Sequence, residues 1–249
     1  MRVLLHGCNG KMGKVVAQAV SESADMEISA GVDVTGQPSS DYPVHISLSE
    51  VTESADVIMD FSHHRCLDAL LAFAVERGIP VVIGTTGFSA EQMTRIAEAA
   101  RSVAILHSAN MSFGINMLLS LVERATLLVR YGFDVEIVEK HHKQKIDSPS
   151  GTALMIANAI NSGLGNAMNF KLGRHSKSER RQQDEIGIHA IRGGTIVGEH
   201  DIIFAGPSEV IEIKHSALSR EVFAQGAMRS ARFLAGRQPG LYTMRDLFE

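Results

Sequence analysis

The sequence predicts an α/β protein: a doubly wound parallel sheet followed by a second, α+β part with a mainly antiparallel, mixed sheet. Three observations carry this. Strands alternate with helices from Arg2 to Leu106, a glycine-rich turn joins the first strand to the first helix, and beyond residue 112 consecutive alternating segments are joined by short turns.

The first strand, Arg2-Val3-Leu4-Leu5-His6, runs into Gly7-Cys8-Asn9-Gly10-Lys11-Met12-Gly13, after which Met12, Val15, Val16, Ala19 and Val20 repeat at helical spacing. The glycines therefore sit at a strand-to-helix turn. There Gly7 permits the sharp bend, Gly10 lets backbone N–H groups approach a pyrophosphate, and Gly13 lets the helix pack close. The spacing is G-x-x-G-x-x-G, weak evidence by itself. A second strand, Ile28 to Val32, ends at Asp33, twenty residues beyond Gly13, where a carboxylate accepts hydrogen bonds from an adenosine ribose. A 2′-phosphate would be repelled by Asp33, and Val34 offers no guanidinium, so NADH is expected to serve at least as well as NADPH. Lys11, close to the turn, is the residue that would weaken this expectation.

The pattern repeats with strand Val57 to Phe61, a helix bearing Leu67, Leu70, Leu71, Ala74 and Val75 that stops at Gly78, and strand Ile79 to Ile83. Next come a Gly84-Thr85-Thr86-Gly87 turn, a helix opened by a Ser89 to Gln92 capping box, and strand Val103 to Leu106. Ligands of such sheets bind beyond the carboxyl ends of the strands, which are Gly7 to Met12, Asp33, Phe61-Ser62, Gly84-Thr85-Thr86 and Ser108-Ala109-Asn110-Met111.

After a helix with Met117, Leu118, Leu121, Val122, Ala125 and Leu128 come strand Asp134 to Lys140, a helix from Ser150, and strands within Ile186 to Ile191 and Thr195 to Ser216. A last helix, Ser219 to Gly236, is expected to return to the first domain. The expected division is 1–112 with 219–249 for dinucleotide binding, and 113–218 for substrate binding and oligomerisation. An exposed strand in the second domain would need a partner, so a homo-oligomer built through that sheet is expected.

The stretch richest in chemistry is Glu139-Lys140-His141-His142-Lys143-Gln144-Lys145-Ile146-Asp147-Ser148-Pro149-Ser150-Gly151-Thr152. Pro149 discourages helix at Ser148, and Ala153, Leu154, Ala157 and Ile160 then recur at helical spacing. The free N–H groups at that helix start, with Gly151 open to close approach and the Thr152 hydroxyl as a further donor, form a seat for a carboxylate. In an extended chain His141 and Lys145 share a side about 13 Å apart at roughly 3.3 Å per residue, so both serve one small molecule only if the chain turns between them. A solvated basic face is the competing reading of this run.

Composition narrows the class. The 249 residues, 45% apolar with 5% aromatics and no Trp, suit one large or two modest domains. A formal charge of −4 gives no global footprint for nucleic acid or an anionic membrane, and the basic run Arg174 to Arg181 reads as a mobile loop. Cys8 and Cys66 make no disulfide framework and have no basic neighbour in sequence, so both read as small buried hydrophobes. No leader or long apolar stretch occurs, a cytoplasmic location is expected, and no metal site is.

Taken together, Gly7 to Gly13, Gly84 to Gly87, Ser108 to Ser112, the Glu139 to Thr152 block, Ile191-Arg192-Gly193-Gly194 and Gly198-Glu199-His200 resemble the motifs of the dihydrodipicolinate reductase (4-hydroxy-tetrahydrodipicolinate reductase) family over essentially the whole chain. The resemblance implies a Rossmann-like first domain and pyridine-nucleotide-dependent reduction of a cyclic unsaturated dicarboxylate in lysine and diaminopimelate biosynthesis, usually by a homotetramer. It implies His141 as proton donor or acceptor and Lys145 as proton donor, with His142, Ser150, Gly151 and Thr152 at the substrate carboxylate. NADH or NADPH would lie against Gly7, Cys8, Asn9, Gly10, Lys11, Met12, Asp33, Gly84, Thr85, Thr86, Ser108, Ala109, Asn110 and Met111. Two departures bear on nucleotide preference: Asp33-Val34 replaces an acid-plus-arginine pair of some members, and Met111 stands where some carry Phe. The alternatives are another two-domain dehydrogenase, such as one acting on homoserine or aspartate, and an NADH-binding sensor without turnover.

Overall fold

The computed structural model describes residues 1–39 and 41–248. Contacts divide the chain into two units, Met1–Phe113 with Arg220–Glu249, and Gly114–Ser219. In chain order the first unit supplies β1 (Arg2–His6), α1 (Lys11–Ser21), β2 (Glu27–Val32), β3 (Val44–His45), β4 (Val57–Asp60), α2 (Leu67–Arg77), β5 (Val81–Ile83), α3 (Ala90–Ala99) and β6 (Ala104–His107). The second follows with α4 (Phe113–Ala125), β7 (Asp134–His141), α5 (Gly151–Gly163), β8 (Asn169–Leu172), β9 (Glu185–Arg192), β10 (Gly198–Ala205) and β11 (Val210–Ala217). The chain then returns to the first unit as α6 (Glu221–Leu234) and β12 (Gly240–Tyr242).

Unit 1 is a sheet of order β3-β2-β1-β4-β5-β6-β12 with every pairing parallel. Alternation along the strands sorts its core into two layers. Val3, Leu5, Met59, Val82 and Leu106 face α1 and α6 through Val16, Val20, Ala224, Ala227, Met228 and Leu234. Leu4, Ile58, Ile83 and Ile105 face the opposite way, onto Leu67, Leu70, Leu71, Ala74 and Ile96 of α2 and α3. Helix starts and stops follow local chemistry. Ser89 and Gln92 form the reciprocal capping box that opens α3, and Gly78 closes α2 in the left-handed conformation, φ 64°. The Gly84–Gly87 run is an extended link from β5 to α3 rather than a tight turn.

Unit 2 is a sheet of order β11-β10-β7-β9-β8. The expected mainly antiparallel sheet is evenly mixed: β11, β10 and β7 pair antiparallel, whereas β7, β9 and β8 pair parallel. Parallel neighbours need long connections, which α5 supplies after β7 and the 173–184 loop after β8. Helices α4 and α5 cover one face, burying Leu118, Leu119, Val122, Ala153, Ile156, Ala157 and Ile160 on Val135, Ile137, Ile186, Ile188, Ile202 and Phe204. The Arg174–Arg181 run, expected as a mobile loop, is tied down at both ends. Arg174 pairs with Glu136 and Glu185, and Arg181 with Asp134 and Glu136.

Candidate functional site

In unit 1 the expected cofactor residues share one edge of the sheet. Register places His6 beside Asp60, Asp60 beside Ile83 and Ile83 beside His107, so the loops after β1, β4, β5 and β6 leave the same edge. Gly7 adopts φ +82°, and a Cβ there would lie 2.5 Å from the Phe61 carbonyl oxygen; one on Gly13 would lie 2.1 Å from the Gly7 oxygen. The turn and the close helix both depend on missing side chains. Gly10 precedes α1 without a side-chain cap, so the first N–H groups of α1 are not claimed by a capping side chain.

Two clefts flank this turn. One of about 160 Å³ is lined by His6, Gly7, Gly10, Val32, Asp33, Val34, Phe61, Ser62, His63 and Cys66, and one of about 300 Å³ by Met12, Phe61, Ser62, His63, His64, Gly84, Thr85 and Thr86. Asp33 accepts from Asn9 N at 3.1 Å and from Thr35 N and Oγ1 at 3.0 and 2.8 Å. Burial opposes its ionisation, but the hydrogen bonds from Thr35 and Asn9 outweigh it and hold the carboxyl below its ordinary range. Asn9 also reaches Thr35 and Gln37 through its side-chain amide, and so closes the 33–37 loop onto the glycine turn. Thr85 is buried with its Oγ1 unpartnered, a polar group suited to a ligand amide. An elongated anionic dinucleotide fits these features: unclaimed helix N–H groups, a ribose-height carboxylate and an orphaned hydroxyl on one edge.

The other expected cofactor residues have mixed placements. Ser108 and Asn110 brace each other, Ser108 Oγ to the Asn110 oxygen at 2.8 Å and Asn110 N to Ser108 Oγ at 3.2 Å. Ala109, Lys11 and Thr86 are exposed. Cys8 and Met111 point into the core, so those positions offer a ligand backbone rather than side chain; burial pushes the Cys8 thiol up to about 11. His63 and His64, with ring centroids 4.0 Å apart, line the clefts and were not anticipated from the sequence. They follow a short strand in an irregular turn, where no periodic signal marks them.

In unit 2 the basic block is folded around one carboxylate. Strand β7 alternates with Val135, Ile137, Glu139 and His141 on its buried side. Glu139, with no exposed surface, accepts from Arg192 Nη1 and Nη2, each at 2.7 Å, from Ser150 N at 2.9 Å and from His141 Nδ1 at 2.6 Å. Burial disfavours its charge, yet these donors, Arg192 foremost, hold its carboxyl below the usual glutamate range. Burial lowers His141, Glu139 opposes that, and the charges of Lys145 and Arg192 add to it.

The turn required between His141 and Lys145 is present, closed by Lys145 N to the His142 oxygen at 3.1 Å. Lys145 Nζ sits 2.8 Å from Asp147 Oδ1, and the Asp147 carbonyl accepts from Arg192 Nη2 at 2.7 Å. Ser150 caps α5 by accepting from Ala153 N at 3.1 Å, and its Oγ lies 3.2 Å from His200 Nε2. His200 is buried, its ring edge-on to His141 at 5.3 Å, and burial with the nearby His141 charge drives it down to about 4. A Cβ on Gly151 would meet nothing within 4 Å, so a ligand can come close to the backbone there, while Ser150 N, Gly151 N and Ala153 N already serve Glu139, the Asp147 carboxylate and Ser150 Oγ. His142 Nδ1 is buried without a partner. Lys140 points the other way, to Glu199 and Asp201 at 3.1 and 3.0 Å, and plays no part in this cluster. Among the described residues there is no group of ligands suited to a metal, and no helix is long and apolar enough to cross a membrane.

Residues 1–111 match the family model for the N-terminus of dihydrodipicolinate reductase, and residues 114–248 the model for its C-terminus. The chain is 57% identical to the 4-hydroxy-tetrahydrodipicolinate reductase of Caldanaerobacter subterraneus over 99% of its own length and 98% of the relative's. It is 46% identical to the Clostridium novyi enzyme of the same name, over 100% and 98%. Among solved structures it is similar to a dipicolinate-bound dihydrodipicolinate reductase from Paenisporosarcina sp. TG-14, with TM-score 0.78, 25% identity, and 98% and 97% of the two chains covered.

Proposed function

This chain belongs to the dihydrodipicolinate reductase family, and from that premise we propose how its residues carry out the NAD(P)H-dependent reduction of 4-hydroxy-tetrahydrodipicolinate to tetrahydrodipicolinate in lysine and diaminopimelate biosynthesis. The observation that carries the residue assignment is the gathering of an imidazole, an ammonium-bearing turn and a helix start approachable at Gly151 around buried Glu139. When bound, the nicotinamide supplies a hydride. The chain supplies the rest. Gly7 to Met12, Asp33, Gly84 to Thr86 and Ser108 to Met111 hold the dinucleotide along the sheet edge of unit 1. In unit 2, Gly151 and Thr152 at the start of α5 seat one carboxylate of a small dicarboxylate, with His142 and Ser150 beside them.

Reduction of a carbon–carbon bond conjugated with an imine leaves negative charge that a positioned acid must quench, worth about a hundred- to ten-thousandfold in rate. We assign that proton to His141 and Lys145. A doubly anionic substrate approaching His141 favours the imidazolium, so binding itself loads the acid that burial had discharged. The Asp33 carboxylate, with Val34 exposed beside it, favours NADH at least as much as NADPH. We further propose a cytoplasmic homotetramer assembled through the outer face of the unit 2 sheet.

The test is oxidation of NADH on adding the product formed by a synthase from pyruvate and aspartate semialdehyde. Rapid oxidation is expected, abolished or strongly slowed in Lys145→Ala with NADH binding retained. Binding of NADH without oxidation would favour a sensor, and turnover only with homoserine or aspartate would favour another dehydrogenase.

A further inference from the structure

We propose that the buried Glu139–Arg192 pair is a positioning device that fixes the His141 imidazole with its proton on Nδ1, so that Nε2 is the atom that exchanges a proton with substrate. This rests on the assignment of His141 to proton transfer made above.

The tautomer follows from counting donors. Glu139 is fully buried and receives two N–H groups of Arg192 and the backbone N–H of Ser150. A guanidinium and a peptide N–H can only donate, so the carboxylate between them is ionised and can only accept. The fourth contact, 2.6 Å to His141 Nδ1, therefore has its proton on the imidazole. Nε2 is left for chemistry, as when an outer carboxylate orients a working histidine from behind.

Arg192 makes the arrangement possible. A lone carboxylate on the Val135–Ile137 face would be costly to bury, and parallel register sets Arg192 directly opposite His141 to neutralise it. The same guanidinium donates to the carbonyls of Ile191 and Asp147, at 2.9 and 2.7 Å. Through Asp147 it braces the turn that carries Lys145, and through Glu139 and Ser150 N it braces the start of α5. The Lys145 turn is thus held by Arg192 itself, and an amide at 139 would still accept from Ser150 N, so the charge of Glu139 acts on the His141 ring. In the step itself the Nε2–H bond of the imidazolium breaks as the substrate C–H bond forms. The ring is left neutral with its Nδ1–H still donated to Glu139, the carboxylate takes up no proton, and solvent later reprotonates Nε2.

The charged and titratable groups around the ring are Glu139 on β7, Arg192 on β9, His200 on β10 and Lys145 in the turn; of these Glu139 favours the imidazolium, and Lys145 and Arg192 disfavour it. Glu139→Gln keeps the shape but loses that support. We expect its kcat to fall at least about tenfold and the basic limb of its kcat profile to move to lower pH by about one unit or more. Affinities for NADH and for pyridine-2,6-dicarboxylate should change less than about threefold. Glu139→Asp should restore part of the loss. Combined with His141→Ala, Glu139→Gln should cost little more than His141→Ala alone, because it acts through the missing ring. An unmoved pH profile, or a full additional loss in the double variant, would reduce Glu139 to a structural role.

Nitrogen NMR of the imidazoles in the wild-type protein needs no variant to fold. The neutral His141 ring should show Nδ1 protonated and Nε2 bare, and the reverse overturns the proposal. A His141→Ala enzyme with wild-type kcat would sink the proton-transfer assignment and this inference with it. The reversed tautomer beside an inactive His141→Ala enzyme would sink this inference alone.

Discussion

Gly198 stands at the head of β10, where an added Cβ would come within 3.0 Å of His141 Nε2 and 3.4 Å of its Cδ2. The ring is already held on its far side by Glu139, so it must tilt rather than retreat. Gly198→Ala is therefore expected to lower kcat by about ten- to a hundredfold, as small misplacements of reacting groups do, with NADH affinity unchanged in a fluorescence titration. Thr152, beside the open Gly151 at the start of α5, bears on substrate grip. Thr152→Val should chiefly raise the KM for substrate, and steady-state kinetics with an unchanged KM would refute the carboxylate seat. At this scale the sequence was readable where a residue acts through its neighbours in the chain. The glycines of the first turn, and the Ser150–Gly151–Thr152 start of α5, do so. Glu139 shows where reading stopped. A glutamate alternating with Val135, Ile137 and His141 signals a buried charge that needs a partner, but that partner, Arg192, is fixed by strand register across more than fifty residues.

The elements differ in how much of their stability is local. The α3 capping box satisfies N–H groups at an exposed helix start, so Ser89→Ala should cost about 1 kcal/mol in urea unfolding without touching kinetics. That box, the Gly78 stop and the long amphipathic helices are visible in sequence because their signals lie within a few residues. Strands β3 and β12, two and three residues long, have no period to detect, and β8 is recognisable only once β9 is beside it.

Strand β10 carries a buried titration. His200 is pushed from 6.5 to about 4, so as pH falls below 6.5 the unfolded chain takes up a proton that the native one refuses. Its stabilising effect is complete above pH 6.5 and erodes as pH falls toward 4, by up to about 3 kcal/mol. Urea midpoints at pH 7.5 and 5 should therefore converge in His200→Gln relative to wild type.

On the scale of the whole molecule, unit 2 leaves one side of its sheet without helices of its own. Register puts Ile203 there, between Glu136 on β7 and Glu212 on β11, in a field of paired charges that includes Lys140, Glu199, Asp201 and Lys214. Such a surface, mixed in sign and centred on strands, suits pairing with copies of itself. On the proposed tetramer, Ile203→Asp is expected to lower the mass found by light scattering relative to the unsubstituted protein. An unshifted mass would send the search for the interface elsewhere.

The return of the chain to its first unit has a consequence for biosynthesis. Helix α6 supplies Ala224, Ala227, Met228 and Leu234 to the layer over Val3, Leu5 and Leu106, Arg232 binds Asp25, and β12 completes the sheet beside β6. A ribosome delivers these pieces only after the middle segment. The middle segment, continuous in sequence, can close while still tethered, whereas the opening lobe emerges half-clothed, its greasy flank waiting through the translation of about a hundred intervening codons. Chaperone demand during synthesis should therefore concentrate on the split lobe rather than on the middle segment.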